Sequence, residues 1–217
     1  VDYMEALRTT DGIEFILATH EGGAGMMAEV SGRLTGVPGV CFGTFGPGAT
    51  NLATGVGEAL LDRSPMIALT DEMPEDMRSR VTQMGIDHQA LFAPLTKKTT
   101  RLRANAVGEI LGGAARVSLS GRPGPVHIGL PVGLSGEIST GAELGPVRPD
   151  PVPAPSVDAL ERAAASFYKA LRPVVAVGLG AVHAGVRDQV IALVEKYDLP
   201  VVLTPMAKGM LPEDHRC

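Results

Sequence analysis

The sequence predicts an α/β protein whose parallel sheet is covered by helices on both faces. Over the first two thirds of the chain one pattern repeats three times: a short apolar or β-branched run, a glycine-rich turn and a longer segment with helical spacing. The apolar runs are nearly continuous, which is typical of parallel strands that are buried on both faces. The chain has 217 residues, of which 45% are hydrophobic, with 27 glycines and 17 prolines. This composition supports a sizeable core with many tight turns.

The first region holds these repeats in chain order. Its opening, "VDYMEALRTT", reads as a helix that no strand precedes. Strands are predicted at residues 13–21, within 39–51, at 65–70 and at 124–130. Helices are predicted at residues 24–34, 49–61 and 105–119, and a long polar stretch precedes the last of them. We expect these elements to form one domain over residues 1–138.

A second α/β domain is predicted after a linker at residues 139–155. The linker contains "RPDPVPAPS", which is too rich in proline for a helix or a central strand. The domain at residues 156–217 begins with a helix at 157–171 that Ser156 or Asp158 can cap, and a strand, a helix at 186–197 and a last strand follow. Because these elements are too few to cover a sheet on both faces, we expect a domain that is cut short. The alternative is a complete chain whose second part packs as an appendage.

The composition argues against several kinds of partner. The formal net charge is −5 and the positive residues are scattered, so we expect no nucleic-acid-binding surface. No apolar segment approaches the roughly 20 residues that a membrane helix needs, so we expect no membrane span. The two cysteines, Cys41 and Cys217, and the five histidines lack the spacing of a disulfide framework or a metal site. We therefore expect a cytoplasmic protein with no metal bound by this chain.

Two glycine turns are the candidate functional features. In "HEGGA" the acidic Glu21 lies where the first apolar run ends, and "FGTFGPGATN" at residues 42–51 occupies the same place in the next repeat. The second turn lacks the lysine of a phosphate-binding P-loop and the third glycine of a dinucleotide fingerprint. Because ligands bind at the carboxyl ends of parallel strands, both turns could line one site. The alternative from the residues alone is a helix-start carboxylate beside a plain strand–helix turn.

Three segments carry a resemblance to a known family. "HEGGAGMMAEVSGRLTGVPGV", "TFGPGATNLATGVGEALLDRSPMIALT" and "SGRPGPVHIGLP" resemble, in order and spacing, the pyrimidine-binding domain of thiamine diphosphate enzymes of the acetolactate synthase type. The resemblance implies that residues 1–138 are this domain without its first strand, and that residues 156–217 begin the family's middle domain. It also implies a third domain, outside this sequence, that holds the diphosphate and Mg²⁺.

The resemblance further implies an activity. The intact protein is expected to decarboxylate a 2-oxo acid and to ligate the product to an acceptor, as a lyase or transferase that works as a homodimer or homotetramer. The 217-residue chain alone is expected to be inactive. FAD is a possible ligand of the middle domain near "VGLGAVHAG", although a plain strand–helix turn is the simpler interpretation there. The rival hypothesis is a non-catalytic α/β binding or regulatory module.

The resemblance also assigns residues. Glu21 matches the glutamate that shares a proton with N1′ of the cofactor's aminopyrimidine, and so activates the cofactor. The residues that match the loop around the pyrimidine are Thr44, Gly46, Pro47, Gly48 and Asn51. Weaker matches on the substrate side are Gln83, Gln89 and Lys97. The family's Phe-Gln-Glu cluster is replaced by Gln83, Met84 and Gly85, and its usual aspartate after "GRPGPV" is Gly129, so acetolactate synthesis itself is less firmly implied than thiamine diphosphate chemistry.

Overall fold

The computed structural model describes residues 2–74, 77, 79–139 and 144–217. The chain forms two compact units, Val1–Val152 and Pro153–Cys217.

The first unit is built on a four-stranded sheet. Its elements are α1 (Asp2–Thr9), α2 (Glu21–Thr35), β1 (Gly39–Gly43), α3 (Pro47–Leu61), β2 (Met66–Glu72), α4 (His88–Phe92), β3 (Lys98–Arg101), α5 (Val107–Leu119) and β4 (Pro125–Pro131). The strand order is β1-β2-β4-β3, and every neighbouring pair is parallel. The carboxyl ends of all four strands therefore lie at one edge of the sheet.

Helices cover both faces of this sheet. On one face α2 and α3 pack on Cys41, Met66 and Ala68, and on the other face α5 packs on Ile67 and Ile128. Successive residues of a strand point to opposite faces, so the nearly continuous apolar strands supply both cores. The predicted α/β class, with a parallel sheet between helices, is confirmed.

The two helices that begin at the glycine turns pack closely against each other. A methyl group added at Gly55 of α3 would lie 2.7 Å from Cα of Gly25 in α2, which is far inside van der Waals contact. The first turn of α2 is capped by His20, whose Nδ1 accepts a hydrogen bond from the backbone N–H of Gly22 at 3.0 Å. The close packing brings the amino-terminal turns of both helices together.

The strand predicted at residues 13–21 is wrong. The structure has no strand there, and the side chains of Ile13, Ile16 and Leu17 are 49%, 66% and 83% exposed. A strand needs a neighbour for its backbone hydrogen bonds, and no described strand pairs with this segment. The apolar run therefore indicates a propensity for a strand, but it does not show whether a partner strand is available.

The other predicted elements of this unit are present, and their ends differ from the prediction by at most three residues. Two elements were missed within the polar stretch, namely α4 and β3. The helix α4 has only five residues, and β3 reads "KTTR", without an apolar side chain. Both elements are stabilised by tertiary contacts that a local pattern does not reveal.

The second unit holds a two-stranded parallel sheet. Its elements are α6 (Val157–Lys169), β5 (Val175–Val177), α7 (Leu179–His183), α8 (Arg187–Tyr197) and β6 (Val201–Leu203). Ser156 caps α6, because its hydroxyl accepts the N–H of Ala159 at 3.2 Å, so Asp158 is not the cap. The turn predicted around residue 180 contains the short helix α7. None of the helices in the described ranges is long and apolar enough to cross a membrane.

Candidate functional site

The two glycine turns meet at the amino ends of α2 and α3. Glu21 is the first residue of α2, and Asn51 lies in the second turn of α3. The side-chain amide of Asn51 donates a hydrogen bond to Oε2 of Glu21 at 3.1 Å. Residues 30 positions apart in the sequence are thus joined at the edge of the sheet where open α/β folds bind ligands.

The carboxylate of Glu21 is held in its ionised form. Its own backbone N–H and the Asn51 amide lower the pKa of Glu21 below its ordinary value, and nearby His20 adds a smaller effect in the same direction. Partial burial acts in the opposite direction and is the weaker influence. The start of a helix therefore dominates over desolvation in setting the charge at this position.

The turn before α3 leaves room beside this carboxylate. Gly46 has φ +50°, which favours glycine, and Pro47 begins the helix where its missing N–H costs nothing. A methyl group added at Gly48 would lie 2.8 Å from Cγ2 of Thr44 and 3.5 Å from Oε1 of Glu21. The missing side chain at Gly48 thus allows the backbone of this turn to lie close to the second oxygen of Glu21.

A polar network lies on the sheet behind this turn. The parallel register aligns Thr70 with Gly129 and Ala68 with His127, so period-two alternation puts Thr70, His127 and Thr99 on the same face. The hydroxyl of Thr70 contacts Nε2 of His127 at 2.8 Å, and Nδ1 of His127 contacts the hydroxyl of Thr99 at 2.7 Å. The ring of His127 also stacks on Phe92. Thr70 and His127 are buried, Thr99 is partly buried, and all three side chains are hydrogen-bonded.

The network ends at a buried carboxylate, Glu72. Oε2 of Glu72 accepts a hydrogen bond from Nε of Arg101, and Oε1 accepts one from the amide of Gln89, each at 2.5 Å. Beside it lies a cavity of about 170 Å³. The residues that line this cavity are Glu72, Met73, Val81, Gly85, Ile86, Asp87, His88 and Arg101. The ion pair with Arg101 and the hydrogen bond from Gln89 provide partners for both oxygens of this buried side chain.

Because Gly129 has no side chain, the side chain of Glu72 can occupy the space beside it. A methyl group added at Gly129 would lie 2.2 Å from Cδ of Glu72. The carboxylate of Glu72, which comes from the neighbouring strand β2, therefore fills the space beside Gly129 on β4. We expect Gly129→Ala to displace Glu72 from Arg101 and Gln89 and to lower the free energy of unfolding by about 2–4 kcal/mol.

Chemical denaturation checks this expectation. The matched background is Glu72→Ala, in which the added methyl group has no carboxylate to displace, so Gly129→Ala should cost much less there. Equal costs in the two backgrounds would show that Gly129 does not make room for Glu72.

The weaker substrate-side candidates lie in different surroundings. Gln83 is exposed on the loop before α4. The side chain of Gln89 is bonded to Glu72, Thr99 and the carbonyl of Thr100. Lys97 donates to the carbonyls of Ser120, at 2.6 Å, and Val117 at the end of α5, and burial lowers its pKa. None of these contacts brings Gln89 or Lys97 to the Glu21–Asn51 pair.

Among the residues of the polar network, sequence reasoning proposed a functional role only for Gln89. Glu72 and Arg101 were not singled out, and His88 and His127 were considered only as metal ligands. One signal was available: "TDE" at residues 70–72 is a polar run at the carboxyl end of a buried strand. Among the described residues, no group of three or more histidine, cysteine, aspartate or glutamate side chains could hold a metal ion.

The buried His127 predicts a pH dependence of stability. Burial, with smaller effects from His88 and Arg101, lowers the pKa of His127 to about 3 from its ordinary value of 6.5. Below pH 6.5 the unfolded chain binds a proton on this imidazole and the folded chain does not. Stability is therefore complete above pH 6.5 and falls toward pH 3, by about 1.4 kcal/mol per pH unit from this group.

The measurement is the free energy of unfolding between pH 7 and 5 for the wild type and for His127→Gln. The variant should be less stable at neutral pH and should show a shallower slope on acidification. Parallel curves would mean that His127 is not the group responsible.

Comparison with known proteins identifies the family. Residues 1–91 match the family described as "Thiamine pyrophosphate enzyme, N-terminal TPP binding domain", and residues 160–217 match "Thiamine pyrophosphate enzyme, central domain". Thiamine pyrophosphate and thiamine diphosphate are the same cofactor. The chain belongs to the thiamine pyrophosphate enzyme family and is of the acetolactate synthase-like type.

Individual relatives agree with this assignment. The chain is 37% identical over 214 residues to acetolactate synthase isozyme 1 large subunit of Escherichia coli (strain K12), covering 97% of this chain and 38% of the relative. It is 36% identical over 222 residues to a probable acetolactate synthase large subunit of Methanocaldococcus jannaschii, covering 98% and 37%. It is 34% identical over 204 residues to acetolactate synthase of Bacillus subtilis (strain 168), covering 94% and 36%. The chain thus spans little more than a third of these relatives.

Proposed function

We propose that the intact protein is a thiamine diphosphate-dependent enzyme that decarboxylates a 2-oxo acid and joins the remaining fragment to an acceptor, with Glu21 activating the cofactor. The observation that carries the proposal is the Glu21–Asn51 contact at the meeting point of two helix starts. An ionised, half-buried carboxylate beside a glycine-rich turn is suited to holding a ring nitrogen and its proton.

The residues of the turn have separate roles in this proposal. Thr44, Gly46, Pro47 and Gly48 would contact the pyrimidine ring, and the glycines allow its close approach. Asn51 binds one oxygen of Glu21 and so orients the carboxylate, while Oε1, on the Gly48 side, would bind the ring. Bound thiamine diphosphate supplies a carbon nucleophile, which protein side chains lack.

The domain boundaries are part of the proposal. Residues 1–138 would bind the pyrimidine, residues 139–155 would be the linker, and residues 156–217 would begin the middle domain. The matches to residues 1–91 and 160–217, and the division into units at residues 152 and 153, support this arrangement. Mg²⁺ and the diphosphate would bind to residues outside this chain, in a homo-oligomer of the cytoplasm, and the 217-residue chain alone would be inactive.

A non-catalytic binding module is the second candidate. It is favoured by the departures at Gln83, Met84 and Gly85 and by the hydrogen bonds that occupy Gln89. In this case the site around Glu21 would bind a ligand without turnover.

One experiment separates the two candidates. Thermal shift of the intact protein with thiamine diphosphate and Mg²⁺, FAD or ADP tests binding, and release of CO₂ from pyruvate and larger 2-oxo acids tests turnover. Stabilisation by thiamine diphosphate together with CO₂ release supports the enzyme. Stabilisation without CO₂ release from any 2-oxo acid supports the binding module, and absence of any thiamine diphosphate effect overturns the proposal.

A further inference from the structure

The backbone N–H of Gly46 has an unusual partner. Gly46 is buried and precedes α3, and its N–H donates a hydrogen bond to Nε2 of His88 at 3.2 Å. His88 comes from α4, a separate element 42 residues later in the chain, and its side chain is buried. The turn that carries Gly46, Pro47 and Gly48 is therefore attached to α4 through one imidazole.

This contact determines where the protons of the network lie. Because Nε2 of His88 accepts, its ring proton must be on Nδ1, which donates to the hydroxyl of Thr70 at 3.0 Å. The hydroxyl proton of Thr70 then points to Nε2 of His127, and Nδ1 of His127 donates to Thr99. Each donor along this path therefore has an acceptor.

The hydrogen bonds from Thr99 to Glu72 run in the same donor-to-acceptor direction. The hydroxyl of Thr99 donates to Oε1 of Gln89 at 2.7 Å, and the amide of Gln89 donates to the carboxylate of Glu72. A carboxylate can only accept, and a backbone N–H can only donate, so both ends require the same orientation of every hydrogen bond. The chain from Gly46 to Glu72 is therefore a single directed series in which both imidazoles are neutral.

We infer that His88 is a positioning residue for the Gly46 turn, and that the directed chain through Thr70 to Glu72 keeps its Nε2 unprotonated and aimed at the Gly46 N–H. Gly46 and Gly48 lie on either side of Pro47, so an anchor at Gly46 holds the backbone that faces Glu21. The expected effect on cofactor binding rests on the proposed function, in which this turn contacts the pyrimidine of thiamine diphosphate. The anchor itself is a property of the described residues.

Two measurements on the intact protein test the inference. The first is hydrogen–deuterium exchange of the peptide that contains Gly46, which requires no cofactor. The second is the dissociation constant for thiamine diphosphate. We expect His88→Ala and Thr70→Val to speed exchange at Gly46 by about tenfold and to weaken cofactor binding by about tenfold.

Thr70→Val removes the hydroxyl with little change of shape, so it carries the test if His88→Ala does not fold. Thr70→Ser keeps the hydroxyl and should restore both measurements to wild-type values. The matched control is Thr96→Val, which removes a hydrogen bond to the carbonyl of Phe92 at the end of α4 without touching the chain to Gly46. It should leave exchange at Gly46 unchanged.

Each outcome decides one of the two proposals. Unchanged exchange at Gly46 in both His88→Ala and Thr70→Val overturns the inference, as does equal acceleration in Thr96→Val. Faster exchange with unaltered thiamine diphosphate affinity supports the anchor and contradicts the proposed contact of the turn with the cofactor. Faster exchange and weaker binding together, with rescue by Thr70→Ser, support both.

Discussion

Replacement of Glu21 by glutamine is expected to lower the turnover of the intact protein by about 10²–10⁴-fold, while thiamine diphosphate still binds. The glutamine side chain has the size of glutamate, and its carbonyl oxygen can accept the hydrogen bond from Asn51. It cannot exchange a proton with a ring nitrogen. We therefore expect the substitution to slow the chemical step and to leave the affinity for thiamine diphosphate unchanged.

Steady-state CO₂ release and calorimetric titration with thiamine diphosphate and Mg²⁺ measure the two effects separately. Glu58→Gln is the matched control, because Glu58 is an exposed carboxylate on α3, the helix that carries Asn51. It should leave both measurements unaltered. Full turnover in Glu21→Gln would remove Glu21 from the proposed role.

Replacement of Gly32 by alanine is expected to cause a large loss of stability. A methyl group at Gly32 would lie 2.1 Å from the carbonyl oxygen of Pro65, and that oxygen already accepts the N–H of Gly39 at 3.1 Å. Both neighbours are backbone atoms, so no side chain can rotate away. To relieve the overlap α2 must move from the sheet, and we expect a loss of about 3 kcal/mol or more in the free energy of unfolding.

Gly23→Ala provides the comparison within the same helix. No atom lies within 4 Å of a methyl group added at Gly23, and alanine has the higher helix propensity. Chemical denaturation should therefore show a gain of about 0.5–1 kcal/mol for Gly23→Ala. A loss of similar size in both variants would attribute the cost to the helix itself and contradict the close contact at Gly32.

Local patterns predicted much of the fold. The apolar runs at β1, β2 and β4 and the helical spacing at α2, α3 and α5 give strong signals, because their core-facing side chains repeat with the period of the element. The strand β3 was missed because "KTTR" carries no apolar residue. It forms beside β4, which supplies its backbone hydrogen bonds.

The candidate site, like the fold, could be predicted only in part from local patterns. The sequence placed Glu21 and Asn51 at one edge because each follows an apolar run in the repeated pattern, and the two side chains do form a hydrogen bond although the first run is not a strand. The hydrogen-bond chain behind them could not, because Thr70 meets His88 across 18 positions and His127 across 57. Thr70, Thr99 and His127 lie on one face because of the register of β2, β3 and β4. No spacing along the sequence predicts that these side chains come together.

Local sequence patterns were sufficient to predict most of the strands and helices, the glycine turns and the acidic residue near the start of α2. These features depend on interactions between residues that are close in the chain, such as helix capping and side-chain periodicity. Only the tertiary structure decided that residues 13–21 form no strand, that Glu72 occupies the room left by Gly129, and that His88 binds Gly46. Each of these outcomes depends on a contact with residues that are distant in the chain. Such contacts are determined by the packing of the whole unit and not by the local sequence.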